Sequence, residues 1–539
     1  MLMAVSNKNA DMNKLFFWSM LLIAGMAGGM NYAQGQMAGP NVGQPMSSRS
    51  IDSLVERTLK AFDVPGIAVA IVKDGKVIHS KGYGVRSLNT GLPVDENTLF
   101  GIASNSKAFT TAALGILVDE RKLKWDDKVR QYIPEFRMYD PYVTEEFTIR
   151  DLLTHRSGLG LGSGDLMFFP DSSDFTLKDI LYNLQFLKPV SSFRSKYDYD
   201  NNMYIVAGEV IARVSGLSWD EFIKTRILQP LGMTHTAPSF DQLPDKSDVI
   251  DGHAPVEGKV RVIARSMMKV GHSAGGINSS IADLSKWVMM QLANGKYGAG
   301  GRIFSEQVHR EMWTPQTIIR TGGPGPYNTH FSSYGFGFGL SDVKGYLQVS
   351  HTGGLEGMVT QITMFPEMNL GIIVLTNQQE GAAFTAITNQ IKDAYFGIRG
   401  TDRVKEYAAY REAALGQAGK MTDSIWRGID SLQKGRSKDL DMSMYMGTYR
   451  DPWFGEVVIS MKGGRPWLDS RRSPKLTGEL FPYKGNSFVV KWRDRSMDAD
   501  AFVIFGLNEQ GKAATMTMKA ISPLTDFSYD FQDLSFRRE

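Results

Sequence analysis

A serine and a lysine three residues apart, Ser104 and Lys107, are the pair in this sequence best suited to do chemistry. On a helix, positions three apart share one face, so the lysine amine can take the serine proton as the serine oxygen attacks a carbonyl carbon. A serine at a helix N-terminus also gains from backbone N–H groups and the positive dipole end, which stabilise developing negative charge. The same spacing recurs at Ser266/Lys269, Ser341/Lys344 and Ser431/Lys434, so spacing alone decides little. Only the first pair follows a short apolar segment, Leu99 to Ala103, and opens a long apolar run, Ala108 to Leu117. A rival nucleophile is Ser273 in Gly271-His272-Ser273-Ala274-Gly275, a GxSxG pattern. That elbow needs a strand before its serine and a helix directly after it. Here Gly276 to Ser279 intervene, and a helix is expected to start at Ser280-Ile281-Ala282-Asp283.

Composition narrows the chemistry further. The chain has no cysteine, which excludes a thiol nucleophile, a disulfide framework and thiolate metal sites. Its eight histidines form no HExxH or HxH pair, so neither a metal nor a cofactor is expected. Lys+Arg 60 against Asp+Glu 57 leaves +3, too small an excess for nucleic acid or an anionic membrane as the main partner. A small-molecule or peptide substrate fits better.

The elements that must position these residues follow from periodicity. Ile51, Leu54, Val55, Leu59 and Phe62 recur at helical spacing, and the apolar runs Gly66 to Val72 and Lys76 to Ile78 flank Asp74-Gly75, a helix followed by a hairpin. Gln348 to Ser350, Gln361 to Phe365 and Gly371 to Leu375 are three further strand candidates, the last two joined by a turn at Pro366 to Asn369. Strands at both ends of one region with helices between predict an α+β fold: one sheet built from both ends, with a helical subdomain inserted. From about Asp441 the texture becomes short alternating segments broken by Gly463-Gly464, Gly485-Asn486 and Asn508 to Gly511, a small all-β barrel or sandwich.

At the N-terminus, Lys8 and Lys14 precede the apolar run Leu15 to Met30 and polar Asn31 to Gln34, an export signal over residues 1–33. A retained anchor is the alternative, which Gly25, Gly28 and Gly29 disfavour. No later stretch is apolar enough to span, so no stable membrane span is expected after cleavage, and the expected location is periplasmic or secreted. The expected plan continues with a flexible leader at 34–48, a catalytic domain at 49–400, a helical connector at 401–438 and the all-β domain at 439–539.

Three boxes in one order carry a family resemblance. Ser104-Asn105-Ser106-Lys107 is followed by Tyr199-Asp200-Asn201, entering an apolar helix, and by His351-Thr352-Gly353 on a strand. Linking stretches agree: Thr148 to Leu159, Pro230-Leu231-Gly232-Met233 and Gly275 to Ser279. Over about residues 50–398 the chain resembles the serine β-lactamase and penicillin-binding protein superfamily, in particular its CubicO-like, class C-type hydrolases. The all-β tail resembles a lipocalin-like accessory domain carried by some members.

That resemblance implies an acyl-enzyme mechanism with Ser104 as nucleophile, Lys107 as its activating base and Tyr199 as a second proton carrier. It also implies a substrate-binding set of Asn201, His351, Thr352, Gly353 and Gly354, the N–H groups of Ser104 and Gly354 forming the oxyanion hole. Without it, Tyr199 reads as a packing residue and Asn201 as a helix N-cap. His155, in Thr154-His155-Arg156-Ser157-Gly158, reads as a structural residue bonded within its own loop. His351 departs from the family pattern, which places a lysine there to hold a substrate carboxylate. A histidine is mostly neutral at pH 7. The expectation is therefore an exported peptidase, amidase or esterase of the D-amino-acid type. A true β-lactamase is the first alternative, and a non-catalytic ligand-binding or sensor protein the second.

Overall fold

A computed structural model of the protein describes residues 43–435 and 441–539. The expected export signal and the leader up to residue 42 lie outside the described residues. Two compact units divide what is described: residues 43–160 with 176–410, and residues 161–175 with those from 411 onward. No helix among the described residues is long and apolar enough to cross a membrane.

The first unit opens on α1 (Ser48–Phe62), capped by the Ser47 side chain and burying Ile51, Leu54, Val55, Thr58 and Phe62 along one stripe. The strands β1 (Gly66–Lys73) and β2 (Lys76–Gly84) then form the expected hairpin. Its turn residues Asp74 and Gly75 both have positive φ, the geometry that matches the twist of a two-residue hairpin. Between this hairpin and the far strands come β3 (Phe100–Gly101), α2 (Ser106–Asp119), α3 (Asn201–Ser215), the one-turn α4 (His272–Gly275), β4 (Asn278–Ser279) and α5 (Ile281–Leu292). The remaining strands are β5 (Thr317–Ile319), β6 (Ser332–Tyr334), β7 (Gly339–Val343), β8 (Tyr346–Leu355), β9 (Met358–Phe365) and β10 (Leu370–Thr376), followed by α6 (Gly381–Tyr395).

Eight strands make one antiparallel sheet in the order β2-β1-β10-β9-β8-β7-β6-β5. The first hairpin thus lies against the last strand of the region, and the α+β arrangement read from the sequence is the fold observed. Strand β10 is buried at every position, so both its faces are covered; α5 packs on β1 and β10, and α6 on β9 and β10. Helix α2 is buried from Ser106 through Leu117. A helix apolar on every side belongs inside a domain. It packs against α3 and α4, with Phe109 stacked on Trp287 of α5.

The long helix α7 (Arg403–Gly435) leads toward the second unit, whose strands are β11 (Gly447–Asp451), β12 (Gly455–Lys462), β13 (Arg465–Ser470), β14 (Thr477–Pro482), β15 (Ser487–Trp492), β16 (Ala501–Leu507), β17 (Ala513–Ala520) and β18 (Ser535–Arg538). They close into an eight-stranded barrel. Large side chains fill it, among them Tyr449, Phe488, Trp492, Phe505, Met516 and Phe536, all nearly inaccessible to solvent. The small all-β domain expected from the sequence is therefore a closed barrel of antiparallel strands. On the outside, Ile425, Trp426 and Ile429 of α7 pack over Phe481, Val489, Phe502 and Ile521.

Residues 161–175 belong to this second unit. The Asp530 carboxylate accepts the N–H groups of Gly164 and Leu166 at 2.6 and 3.0 Å, and Ser528 donates to Asp165 at 2.8 Å. Burial, with Asp533 and Asp165 nearby, pushes the Asp530 carboxyl well above the usual carboxylate range. Phe169 meets Tyr529 edge-on, and Arg472 both pairs with Asp174 and covers the Phe175 ring.

Candidate active site

Ser104 sits where a short strand is bent into a helix. Phe100 and Gly101 pair with Ser279 and Asn278, and the Ile102 N–H continues that pairing to the Ile277 carbonyl at 2.9 Å. Ala103 then takes φ 50°, a left-handed conformation that a residue with a Cβ adopts at a cost of about 1–2 kcal/mol. The strain is held by the Ile102 carbonyl, which accepts from Asn105 N–H, Asn105 Nδ2 and Thr360 Oγ1 at 3.2, 3.3 and 3.0 Å. Residues Ala103–Asn105 form a 3₁₀ turn, and α2 begins only at Ser106. The serine thus stands two residues ahead of the α-helix expected to begin with it.

Lys107 is wholly buried, and its Nζ has three oxygen neighbours: Asn201 Oδ1 at 2.7 Å, the Ala274 carbonyl at 2.8 Å and Ser104 Oγ at 3.0 Å. The amide and carbonyl oxygens can only accept, so Nζ donates to both while lying within hydrogen-bond distance of the Ser104 hydroxyl; to take the serine proton, the ammonium must first give up one of its own. The Tyr199 and Tyr204 rings lie 4.9 and 5.3 Å from Nζ.

Tyr199 is buried, its ring 4.2 Å from that of His155 and 6.2 Å from that of His351. Asn201 is the first residue of α3 and Asp200 holds the N-cap position, so capping is not the role of Asn201. With its oxygen engaged by Lys107, the Asn201 amide nitrogen lies on the other side of the group. The three sequence boxes therefore meet: Ser104, Lys107, Tyr199, Asn201 and His351 share one locality.

Strand β8 carries His351, Thr352, Gly353 and Gly354 opposite Ile362, Gln361, Thr360 and Val359. Gly353 is pressed onto the turn before the serine: a Cβ there would lie 2.2 Å from the Ile102 carbonyl oxygen and 3.0 Å from the Ala103 Cβ. Only glycine permits that approach. Thr352 is half-buried, and Gly354 is exposed, a Cβ there lying 4.0 Å from Val359 Cγ1.

His351 donates from Nδ1 to the Thr352 carbonyl at 2.5 Å, so its Nε2 is the acceptor for the Tyr334 hydroxyl at 2.9 Å. Burial, with the Lys107 charge nearby, pushes its pKa down to about 3. The imidazole is neutral across the physiological range. In an unfolded chain it binds a proton at about pH 6.5, so as pH falls through that value the unfolded state gains the proton first and the fold loses stability. His351→Gln removes that contribution. Urea unfolding at about pH 7 and pH 4.5 should show the variant losing less stability on acidification than the parent, by roughly 1 kcal/mol or more.

Ser273 does not form a nucleophile elbow. No strand runs directly into Gly271, residues 263–270 being loop and turn, and the Ser273 side chain is buried against Gly208. The segment serves the locality through its main chain instead: Thr110 Oγ1 donates to the Ser273 carbonyl at 2.7 Å, and Lys107 to that of Ala274. Of the other serine and lysine pairs, Ser266/Lys269 lies in a loop, Lys344 in a turn and Ser431 on the exposed side of α7, bonded to the Arg427 carbonyl. Sequence reasoning missed Tyr334, Asn105, Thr360 and the Ala274 carbonyl. The carbonyl carries no side-chain identity, Tyr334 and Thr360 lack a spacing signal because strand pairing brings them in, and Asn105 lies inside the serine–lysine box at a position the pattern leaves open.

Comparison with known proteins places this geometry in context. The profile of the β-lactamase family matches residues 51–395, and that of a domain of unknown function (DUF3471) matches residues 433–538. A protein of Aspergillus violaceofuscus named Unguisins hydrolase ungD is 27% identical over 438 residues, covering 76% of each chain. Protein flp of Staphylococcus aureus is 29% identical over 335 residues, covering 61% of this chain and 63% of its own. Among solved structures, the octameric penicillin-binding protein homologue from Pyrococcus abyssi aligns with a TM-score of 0.58 at 23% identity, over 91% of this chain and all of that one. A penicillin-binding protein from Bacillus halodurans aligns with a TM-score of 0.53 at 22% identity, over 63% of this chain and 99% of that one.

Proposed function

Since the chain belongs to the β-lactamase family and is an enzyme of the serine hydrolase type, we propose that it hydrolyses small amide or ester substrates, of the D-amino-acid peptidase or esterase kind, through an acyl-enzyme on Ser104. The observation that carries this reading is the Lys107 amine, fixed by Asn201 and Ala274 with Ser104 Oγ at 3.0 Å. In the proposed reaction, Ser104 Oγ forms a bond to the carbonyl carbon as its proton passes to Lys107. The resulting oxyanion lies between the N–H groups of Ser104 and Gly354. Collapse breaks the bond to the leaving nitrogen or oxygen, which receives a proton by way of Tyr199. Water then attacks the acyl carbon, giving its proton back through the same groups, and the acid leaves as Ser104 regains its hydrogen.

His351 supports the substrate preference. A neutral imidazole already bonded on both sides offers no charge to a substrate carboxylate, whereas the charge-assisted contact a lysine would make is about twice as strong as a neutral one. A relative named Unguisins hydrolase is consistent with a hydrolytic activity. Export to the periplasm or beyond completes the proposal and rests on the signal-like residues 1–33.

The test uses matched pairs of N-acyl-D-alanyl substrates with a free or an esterified carboxylate. The expected kcat/KM values agree within about 3-fold, and His351→Lys shifts the ratio toward the free acid by about 10-fold. A preference of about 100-fold for the free acid in the parent enzyme, or a chromogenic cephalosporin cleaved as fast as the best ester, would favour the β-lactamase reading instead.

A further inference from the structure

We propose that His155 is a positioning residue for Tyr199, fixing the phenol in the orientation that proton transfer requires. The inference rests on the reading of Tyr199 as a proton carrier. His155 is fully buried at φ 51° and holds the main chain on both sides of that tyrosine. Its carbonyl accepts the Asp198 N–H at 3.0 Å, and its Nδ1 accepts the Asp200 N–H at 3.1 Å. Its ring lies along the Tyr199 ring, with centroids 4.2 Å apart at 35°, while Lys107 Nζ lies 4.9 Å from the centre of the Tyr199 ring. The phenol is thereby restrained by a ring and a cation, and its backbone is pinned one residue before and one after.

The tautomer follows from these contacts. Because Nδ1 accepts an amide hydrogen, the imidazole proton sits on Nε2, where no hydrogen-bond partner is found. Around it stand the rings of Tyr334, Tyr204 and Tyr197, with centroids 4.5, 5.4 and 5.7 Å from that of His155. Burial, then the charge of Lys107, holds the imidazole well below its usual range, so it stays neutral beside the tyrosine. A residue needed only to fill space would not carry a buried unpaired donor in a left-handed conformation. Histidine suits the position because it combines a flat ring against Tyr199 with an acceptor at the ring edge for Asp200. The same loop extends the grip: Ser157 Oγ donates to Asp200 Oδ2 at 3.0 Å, and Tyr204 donates its hydroxyl hydrogen to the Leu153 carbonyl at 2.7 Å.

A double-mutant cycle on the full chain tests this. His155→Phe keeps a ring without the acceptor; His155→Asn keeps an acceptor and tolerates positive φ but lacks the ring. Each should lower kcat by about 10- to 100-fold with KM changed by less than about 3-fold. In the Tyr199→Phe background the same substitutions should cost less than about 3-fold, because the group they position has gone. The rate at which a fluorophosphonate captures Ser104 should stay within about 3-fold of the parent in His155→Phe and His155→Asn, since Lys107 is untouched. Equal losses in both backgrounds, or capture falling in step with kcat, would overturn the inference while leaving Tyr199 as a proton carrier. Full kcat in Tyr199→Phe alone would overturn that assignment and this inference with it. If His155→Phe does not fold, His155→Asn carries the test.

Discussion

Ser104→Ala is expected to reduce turnover of every ester and amide substrate by at least about 10³-fold, because it removes the hydroxyl that lies 3.0 Å from the Lys107 amine. The same substitution should abolish the mass increase left by a serine-reactive fluorophosphonate, and peptide mapping of the parent should find that adduct on Ser104. Ser273→Ala provides the control. Its side chain is buried against Gly208 and its backbone carbonyl, which the substitution preserves, is what Thr110 uses. Labelling should persist in Ser273→Ala. An adduct that survives Ser104→Ala would remove the foundation of the proposed mechanism.

Lys107→Met should have the next largest effect, lowering kcat/KM by about 10²- to 10⁴-fold, the usual contribution of a positioned general base. Methionine matches the length of the lysine stem, so the surrounding packing is kept while the basic nitrogen is lost. Two acceptors, Asn201 Oδ1 and the Ala274 carbonyl, then lose their donor inside the protein, and leaving buried polar groups unsatisfied costs about 1–3 kcal/mol each. Stability and catalysis must therefore be measured separately. Urea unfolding gives the first, and the rate of fluorophosphonate capture, taken well below the unfolding midpoint, gives the second. Capture by Lys107→Met as fast as by the parent would mean that the serine is activated by another group.

Much of this arrangement is legible in the sequence because it is local. The Ser104/Lys107 pairing, the Asp74-Gly75 hairpin and the capping pattern at Ser280 each depend on residues close in the chain; the last two appear where local rules place them, and the first survives although the α-helix begins only at Ser106. What escapes is long-range. The turn at Ala103 is held by Thr360, 258 residues away from the Ile102 carbonyl it bonds. Tyr334 meets His351 because β6 and β8 flank β7, a relation that periodicity cannot express. In the C-terminal region, alternation identifies strands with one inward face but not whether their sheet closes, and closure into a barrel emerges only from the pairing of β11 with β18. The role of the GxSxG segment was hidden for a different reason: it acts through carbonyl oxygens, which every residue type possesses.

The grouping of residues 161–175 with the barrel bears on how this protein can be taken apart. A gene fragment stopped at Tyr410 would encode Leu166, Met167, Phe168 and Phe169 without the partners that bury them, and so would expose an apolar tongue prone to self-association. A fragment begun at Arg411 would have the complementary defect, a barrel whose Asp530 carboxylate has lost the amides of Gly164 and Leu166. Dissection at the helical linker therefore yields two damaged pieces. An intact barrel module requires that stretch to be supplied as a separate peptide or spliced on by circular permutation.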